Sequence, residues 1–144
     1  MKRISGHCLC GAVKVSMTPG KPELSACHCG MCQRWTGSVL MSIESEQGSL
    51  THEGPVKIYR SSDWAERAFC AECGTSLWYH LTIPDHETHF VAAGLFPDAG
   101  GLKLDHEIYI DRKPEGYAFA GNHQKMTQAE VEAFFASLGG GDEK

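Results

Sequence analysis

Seven cysteines carry the most evident chemistry in this 144-residue chain, and their spacing sorts them before any fold is considered. Cys27-His28-Cys29-Gly30-Met31-Cys32 places three thiols within six residues; Cys8-Leu9-Cys10 lies upstream and Cys70-Ala71-Glu72-Cys73 downstream. Thiols one or two residues apart share a turn and reach one ion together. Zn2+ takes tetrahedral sets of Cys and His, with bonds of about 2.3 Å to sulfur. One C-x-x-C is weak evidence because redox motifs share it. Two short pairs plus a triplet predict zinc, and the seven thiols divide naturally as four plus three. Four thiolates close a tetrahedron, as structural zinc requires, whereas three leave a position open, as catalytic zinc requires. Cys27, Cys29 and Cys32 are contiguous and form the natural open set. Cys8, Cys10, Cys70 and Cys73 form the closed one, which clips the N-terminal strand to a mid-chain hairpin and turns metal affinity into folding free energy.

Three thiolates around Zn2+ leave a net negative charge on the ligand shell, so such a metal is a weaker Lewis acid than one held by three His. It suits an incoming thiol better than a water. A free thiol titrates near ~8.5, and a coordinating thiol is deprotonated outright. The expected chemistry is therefore that of a substrate sulfur presented to an electrophile or released from one. Two other readings of the triplet stay open: a second structural zinc completed by a His, or free thiols. His28 lies between two ligand positions and tends to point away from their shared ion. It can be a fourth ligand, a proton carrier or a polar residue of the turn. For each of the other His residues a surface position is expected, and for Trp35, Trp64 and Trp78 a packing role.

The scaffold that must position these groups reads as mainly β. Val13, Val15 and Met17 alternate with Lys14 and Ser16 over residues 11–17, the period of a half-buried strand, and Pro19-Gly20 ends it. Further strands are predicted over 39–43, 56–59, 65–69, 76–80, 89–93 and 107–110, with a turn at Glu46–Ser49 and a loop from Phe96 to Gly101. The two strands on either side of Cys70/Cys73 form a zinc-ribbon-like hairpin, with Gly74 supplying the positive φ of its turn. Thr127 and Glu130 form a T-x-x-E capping box that starts a C-terminal helix. Val131, Phe134, Phe135 and Leu138 would give that helix one apolar face. Gly139–Gly141 stops it, so one domain over 1–138 and a flexible tail over 139–144 are expected.

A net charge of −5 with scattered Lys and Arg argues against a nucleic-acid footprint. No apolar run approaches the ~18 residues of a membrane span. Ser5-Gly6-His7 interrupts the N-terminus where a targeting signal needs an apolar stretch. The expected location is the cytoplasm, whose reducing conditions favour metal or redox use of clustered thiols over disulfides.

Three stretches also resemble one known family. Cys8-Leu9-Cys10-Gly11, then Cys27-His28-Cys29-Gly30-Met31-Cys32-Gln33, then Arg67-Ala68-Phe69-Cys70-Ala71-Glu72-Cys73-Gly74-Thr75-Ser76-Leu77 are similar to the glutathione-dependent formaldehyde-activating enzymes. That family includes domains of the centromere protein V type. The resemblance extends over residues 4–119. It implies an Mss4-like zinc-binding β fold, with Cys8, Cys10, Cys70 and Cys73 as structural ligands and Cys27, Cys29 and Cys32 as catalytic ones. The implied activity is that of a carbon–sulfur lyase which joins or separates glutathione and formaldehyde through S-hydroxymethylglutathione. A small thiol, glutathione, is the implied partner. The rival reading is a non-catalytic, zinc-stabilised binding module of the centromere protein V type. A dithiol redox protein using Cys70/Cys73 is the third. The oligomeric state is not legible.

Overall fold

The structure is a computed structural model and describes residues 1–138; the expected tail and the Gly139–Gly141 stop lie outside the described residues. In chain order the elements are β1 (Ile4–His7), β2 (Lys14–Met17), β3 (Glu23–Cys27), α1 (Gly30–Thr36), β4 (Leu40–Glu44), β5 (Thr51–Glu53), β6 (Val56–Ser62), β7 (Ala65–Cys70), β8 (Ser76–Leu81), β9 (Thr88–Ala92), β10 (Lys103–Ile108), β11 (Gln124–Met126) and α2 (Gln128–Ser137). The fold is mainly β with a zinc-ribbon-like hairpin and a C-terminal helix, as the sequence predicts.

The strands form two sheets. A small antiparallel sheet has the order β1-β2-β5, and a large one the order β11-β10-β3-β4-β9-β8-β7-β6. The large sheet is antiparallel except at β10, which runs parallel to both β3 and β11. Between the sheets lies the core. Val13, Val15 and Met17 are buried and pack in one cluster with Ile43, Leu77, Trp78, Val91 and Phe96 of the large sheet and its flank. Each such aliphatic side chain contributes about 1.5–3 kcal/mol by leaving water, which fixes the small sheet against the large one.

Residues 8–13 are not strand, although the alternation runs through 11–17. Cys8 N–H donates to Val13 O at 3.0 Å and Gly11 N–H to Cys8 O at 3.1 Å, and Gly11 has φ 81°. The backbone there closes a knuckle, so β2 begins only at Lys14. The β7–β8 hairpin closes the same way. Gly74 N–H donates to Cys70 O at 2.9 Å, with Gly74 at φ 79° as the turn requires.

Helix α1 replaces what reads in sequence as a bare knuckle. Cys29 caps its N-terminus, and Gly37 at φ 91° ends it by donating to Gln33 O at 2.8 Å. Helix α2 starts as predicted, with Thr127 and Glu130 in a reciprocal capping box. Its apolar face is a correction. Val131 is buried, but Phe134 is 54% exposed and Phe135 and Leu138 are only half-buried. The helix is held by its first turn instead. Gln128 N–H donates to Asp111 Oδ1 at 2.9 Å and Arg112 Nε to Gln128 Oε1 at 2.7 Å, which ties it to the turn after β10 and not to a sheet face.

Candidate metal centre

All seven cysteines are free thiols, and the fold gathers them into two clusters. In each, the sulfurs lie within 4.8 Å of one another: Cys8, Cys10, Cys70 and Cys73 in one, Cys27, Cys29 and Cys32 in the other. This is the four-plus-three grouping predicted from spacing.

The first cluster joins the β1–β2 knuckle to the β7–β8 hairpin. Leu9 N–H donates to Thr75 Oγ1 at 3.1 Å across that junction. The sulfurs of Cys8 and Cys10 are 3.7 Å apart and those of Cys10 and Cys70 3.9 Å. A tetrahedron with bonds of about 2.3 Å has edges of about 3.8 Å, so the thiols already stand at metal-ligand spacing. Backbone amides point at the sulfurs: Val13 N–H at Cys8, and Glu72 and Cys73 N–H at Cys70, all at 3.3–3.4 Å. Hydrogen bonds from the Thr75 side chain and backbone pull the Cys73 thiol down to about 5. Against the backbone hydrogen bond of Ala12, burial and the sulfurs of Cys73, Cys8 and Cys70 push the Cys10 thiol up to about 12, so a divalent cation would be needed for all four to ionise.

The second cluster stands where β3 ends and α1 begins. Cys27 is the last residue of β3, flanked by Leu40 of β4 and Ile108 of β10. Cys29 caps α1, its sulfur accepting from Cys32 N–H at 3.3 Å, and Cys32 is buried one turn on. Cys27 and Cys29 are partly exposed whereas Cys32 is buried, so the cluster reaches solvent on the Cys27 and Cys29 side. Among the described residues no further Cys, His, Asp or Glu completes it. Without a cation the three thiols cannot share charge evenly. Cys27 and Cys32 hydrogen-bond to Cys29 and pull it to about 2, while those same contacts push Cys27 well up. A divalent cation would let all three ionise. Both all-sulfur donor sets are compatible with zinc.

Around the second cluster lie groups that spacing alone does not reveal. Arg67 of β7 is buried, and its Nη1 donates to Cys32 Sγ at 3.6 Å. Its guanidinium carbon lies 5.1 Å from the Trp35 ring centroid and 4.9 Å from that of Tyr79. Tyr109, directly after β10, sits in the left-handed region at φ 58°, a strained position for a non-glycine residue. Burial, then the charge of Cys27 and Cys29, pushes its phenol up to about 12, so it stays a neutral donor.

His28 stands apart from the thiol cluster. It is wholly buried, and its Nε2 lies 2.6 Å from Glu107 Oε1. The other Glu107 oxygen pairs with His123 Nε2. The side chains of Glu107 and His123 are 1% and 3% exposed, so a buried carboxylate bridges two imidazoles. Burial alone would raise the Glu107 carboxyl, but the hydrogen bonds of His123 and His28 outweigh it and hold it below the usual range. Of the roles open to His28 in the sequence, that of fourth ligand does not match this placement: its ring nitrogen is turned to β10 and its backbone N–H to Ile108 O at 3.1 Å. His123 departs from the surface position expected of it, because Glu107 draws it inside. Trp78 is a packing residue as expected, and Trp35 lies against Arg67. Arg67 could have been found from its place in the Cys70 stretch; Glu107 and His123 carry no comparable sequence signal.

The glutathione-dependent formaldehyde-activating enzyme family matches residues 3–112 of the chain. A Schizosaccharomyces pombe protein named as an uncharacterized lyase is 35% identical over 132 residues, covering 91% of this chain and 96% of that protein. A crystal structure of a Rhodobacter sphaeroides protein superposes with a TM-score of 0.56 at 18% identity, covering 85% of this chain and 99% of that one. That likeness concerns the fold alone.

Proposed function

The chain belongs to the glutathione-dependent formaldehyde-activating enzyme family, and on that premise we propose that it is a zinc-dependent carbon–sulfur lyase acting on a small thiol adduct. The adduct in this reading is S-hydroxymethylglutathione, formed from glutathione and formaldehyde or returned to them. The observation that carries the proposal is the cluster of Cys27, Cys29 and Cys32, open on one side, beside a separate set of four thiols.

Cys8, Cys10, Cys70 and Cys73 would hold a structural zinc, and Cys27, Cys29 and Cys32 a catalytic one. When bound at three thiolates, zinc supplies a free coordination position that keeps a substrate thiol deprotonated near neutral pH. The chain's own residues do the rest. Cys27 and Cys29 present the open side to solvent, where glutathione enters. In the joining direction the substrate sulfur bonds to the aldehyde carbon, and the carbonyl oxygen takes up a proton from water. In reverse, the hydroxyl proton leaves and the carbon–sulfur bond breaks. His28, wholly buried and paired with Glu107, serves in this reading as a brace for the knuckle and not as the proton carrier. The location that goes with this reading is the cytoplasm, where reducing conditions keep clustered thiols free for metal binding.

The decisive measurement is the exchange rate between glutathione and formaldehyde, followed by NMR with and without the zinc-loaded protein. A rate is needed because the adduct also forms unaided. Acceleration that disappears in Cys29→Ser supports the lyase. Full activity and full zinc content in Cys29→Ser would sink it, and no acceleration in protein holding two zincs favours the binding-module reading.

A further inference from the structure

Arg67 is a buried cation without a carboxylate. The residue is 3% exposed in the middle of β7, and it takes part in no ion pair among the described residues. Trp35 of α1 and its cross-strand neighbour Tyr79 of β8 flank the guanidinium, Nη1 reaches Cys32, and Nε has no partner. Burying a charge is costly unless it is compensated. Two aromatic rings return part of that cost. The remainder must come from negative charge, and the group in contact that can carry it is the Cys32 sulfur.

The two thiol clusters differ on this point. The four-thiol set receives hydrogen bonds from backbone amides and from the Thr75 side chain. The three-thiol set has a permanent cation built against one of its sulfurs. Three thiolates around a divalent metal carry one net negative charge, which Arg67 cancels. A fourth sulfur arriving as thiolate then leaves one negative charge on the site, where without Arg67 it would leave two. We infer that Arg67 is the internal counter-charge of the three-thiol centre: a positioning residue that donates an N–H···S bond to Cys32 and lets an anionic sulfur join. The second half rests on the thiol-binding reading proposed above, and the first half does not.

Full-length protein loaded with Co2+ in place of zinc tests both halves. A hydrogen bond to a thiolate draws electron density from sulfur, so Arg67→Met should move the sulfur-to-cobalt charge-transfer band to lower energy. It should also weaken the spectral titration with glutathione by about 10- to 100-fold, the range seen when outer-shell partners of metal ligands are removed. Arg67→Lys keeps the charge but not the planar fork, so the band should still move while part of the thiol affinity returns. An unchanged band in a folded variant holding two cobalts overturns the inference, as does an unchanged glutathione affinity in a protein that responds to glutathione. If Arg67→Met does not fold, the same comparison is made on Arg67→Lys, and an unmoved band there is equally fatal. Should the unsubstituted cobalt protein ignore glutathione altogether, the lyase reading fails. The band and the cobalt affinity of the variants then still decide whether Arg67 serves the centre.

Discussion

The two thiol clusters use the same ligand atom and the same short spacings, yet the fold treats them differently. Cys8, Cys10, Cys70 and Cys73 come from two segments 60 residues apart at their nearest, and their contact joins those segments together with the Leu9–Thr75 hydrogen bond. Cys27, Cys29 and Cys32 come from one strand end and one helical turn, and that turn is held from behind by a buried hydrogen-bonded set, His28, Glu107 and His123. In the first cluster the ligands brace the fold. In the second the fold braces the ligands. A centre of the first kind is suited to structure, and one of the second kind can afford an open side without the chain coming apart.

The largest expected effect tests the first half of that contrast. Cys70→Ser removes a buried thiol of the long-range set, and because the structural metal proposed there would contribute folding free energy, thermal unfolding should show loss of the cooperative native state or a collapse of its midpoint. A Cys70→Ser protein with unchanged melting would erase the distinction. Next, Cys29→Ser should lower metal content by one ion per chain and abolish glutathione–formaldehyde exchange while the unfolding transition moves little. Parallel metal analysis and calorimetry decide it, and a drop in melting as large as that of Cys70→Ser would make both centres structural.

The brace behind the second cluster should be worth less than a metal but more than a surface contact. Glu107→Gln leaves two buried imidazoles without their carboxylate, and breaking a buried pair costs about 3–5 kcal/mol, readable as a shift in urea midpoint. The pH dependence follows from the lowered Glu107 carboxyl. A group with a depressed native pKa stabilises the fold above its unfolded value, near ~4.3, and that stability is lost as pH falls through the native value. Acid unfolding of Glu107→Gln should therefore be flatter below about pH 4 than that of the unsubstituted protein. The smallest effect is Thr127→Ala, which removes the cap of α2. It should cost about 1 kcal/mol and leave both metal contents unchanged.

Much of this contrast is legible in the sequence. Short Cys spacings are local geometry, so the grouping into four and three follows from the chain before folding. Alternation around Val13, Val15 and Met17 survives because one face of β2 is buried and the other is not. The capping box at Thr127 and Glu130 is equally local. What escapes is everything set by long-range partners. Strands β5 and β11 have three residues each, too few to show a period. Strand β3 is placed by β10, some 80 residues on, in parallel register. A charged residue within a strand reads as solvent-facing, so the burial of Arg67 and Glu107 is invisible until Cys32, His28 and His123 are brought to them. The apolar residues of α2 are misread for the converse reason: periodicity supplies a face, but only Val131 is fully buried, while Phe135 and Leu138 are covered in part and Phe134 is exposed.

The parallel pairing of β10 also has a consequence in time. A ribosome delivers the chain from its N-terminus, and all four ligands of the long-range cluster exist once residue 73 has emerged. The strand that flanks Cys27, and the carboxylate that holds His28, arrive only with residues 103–108, and His123 later still. If the four-thiol set holds the structural metal proposed for it, that metal can load before the floor beneath the other three thiols has been synthesised. Truncated chains ending near residue 100 should hold the first metal tightly and the second loosely.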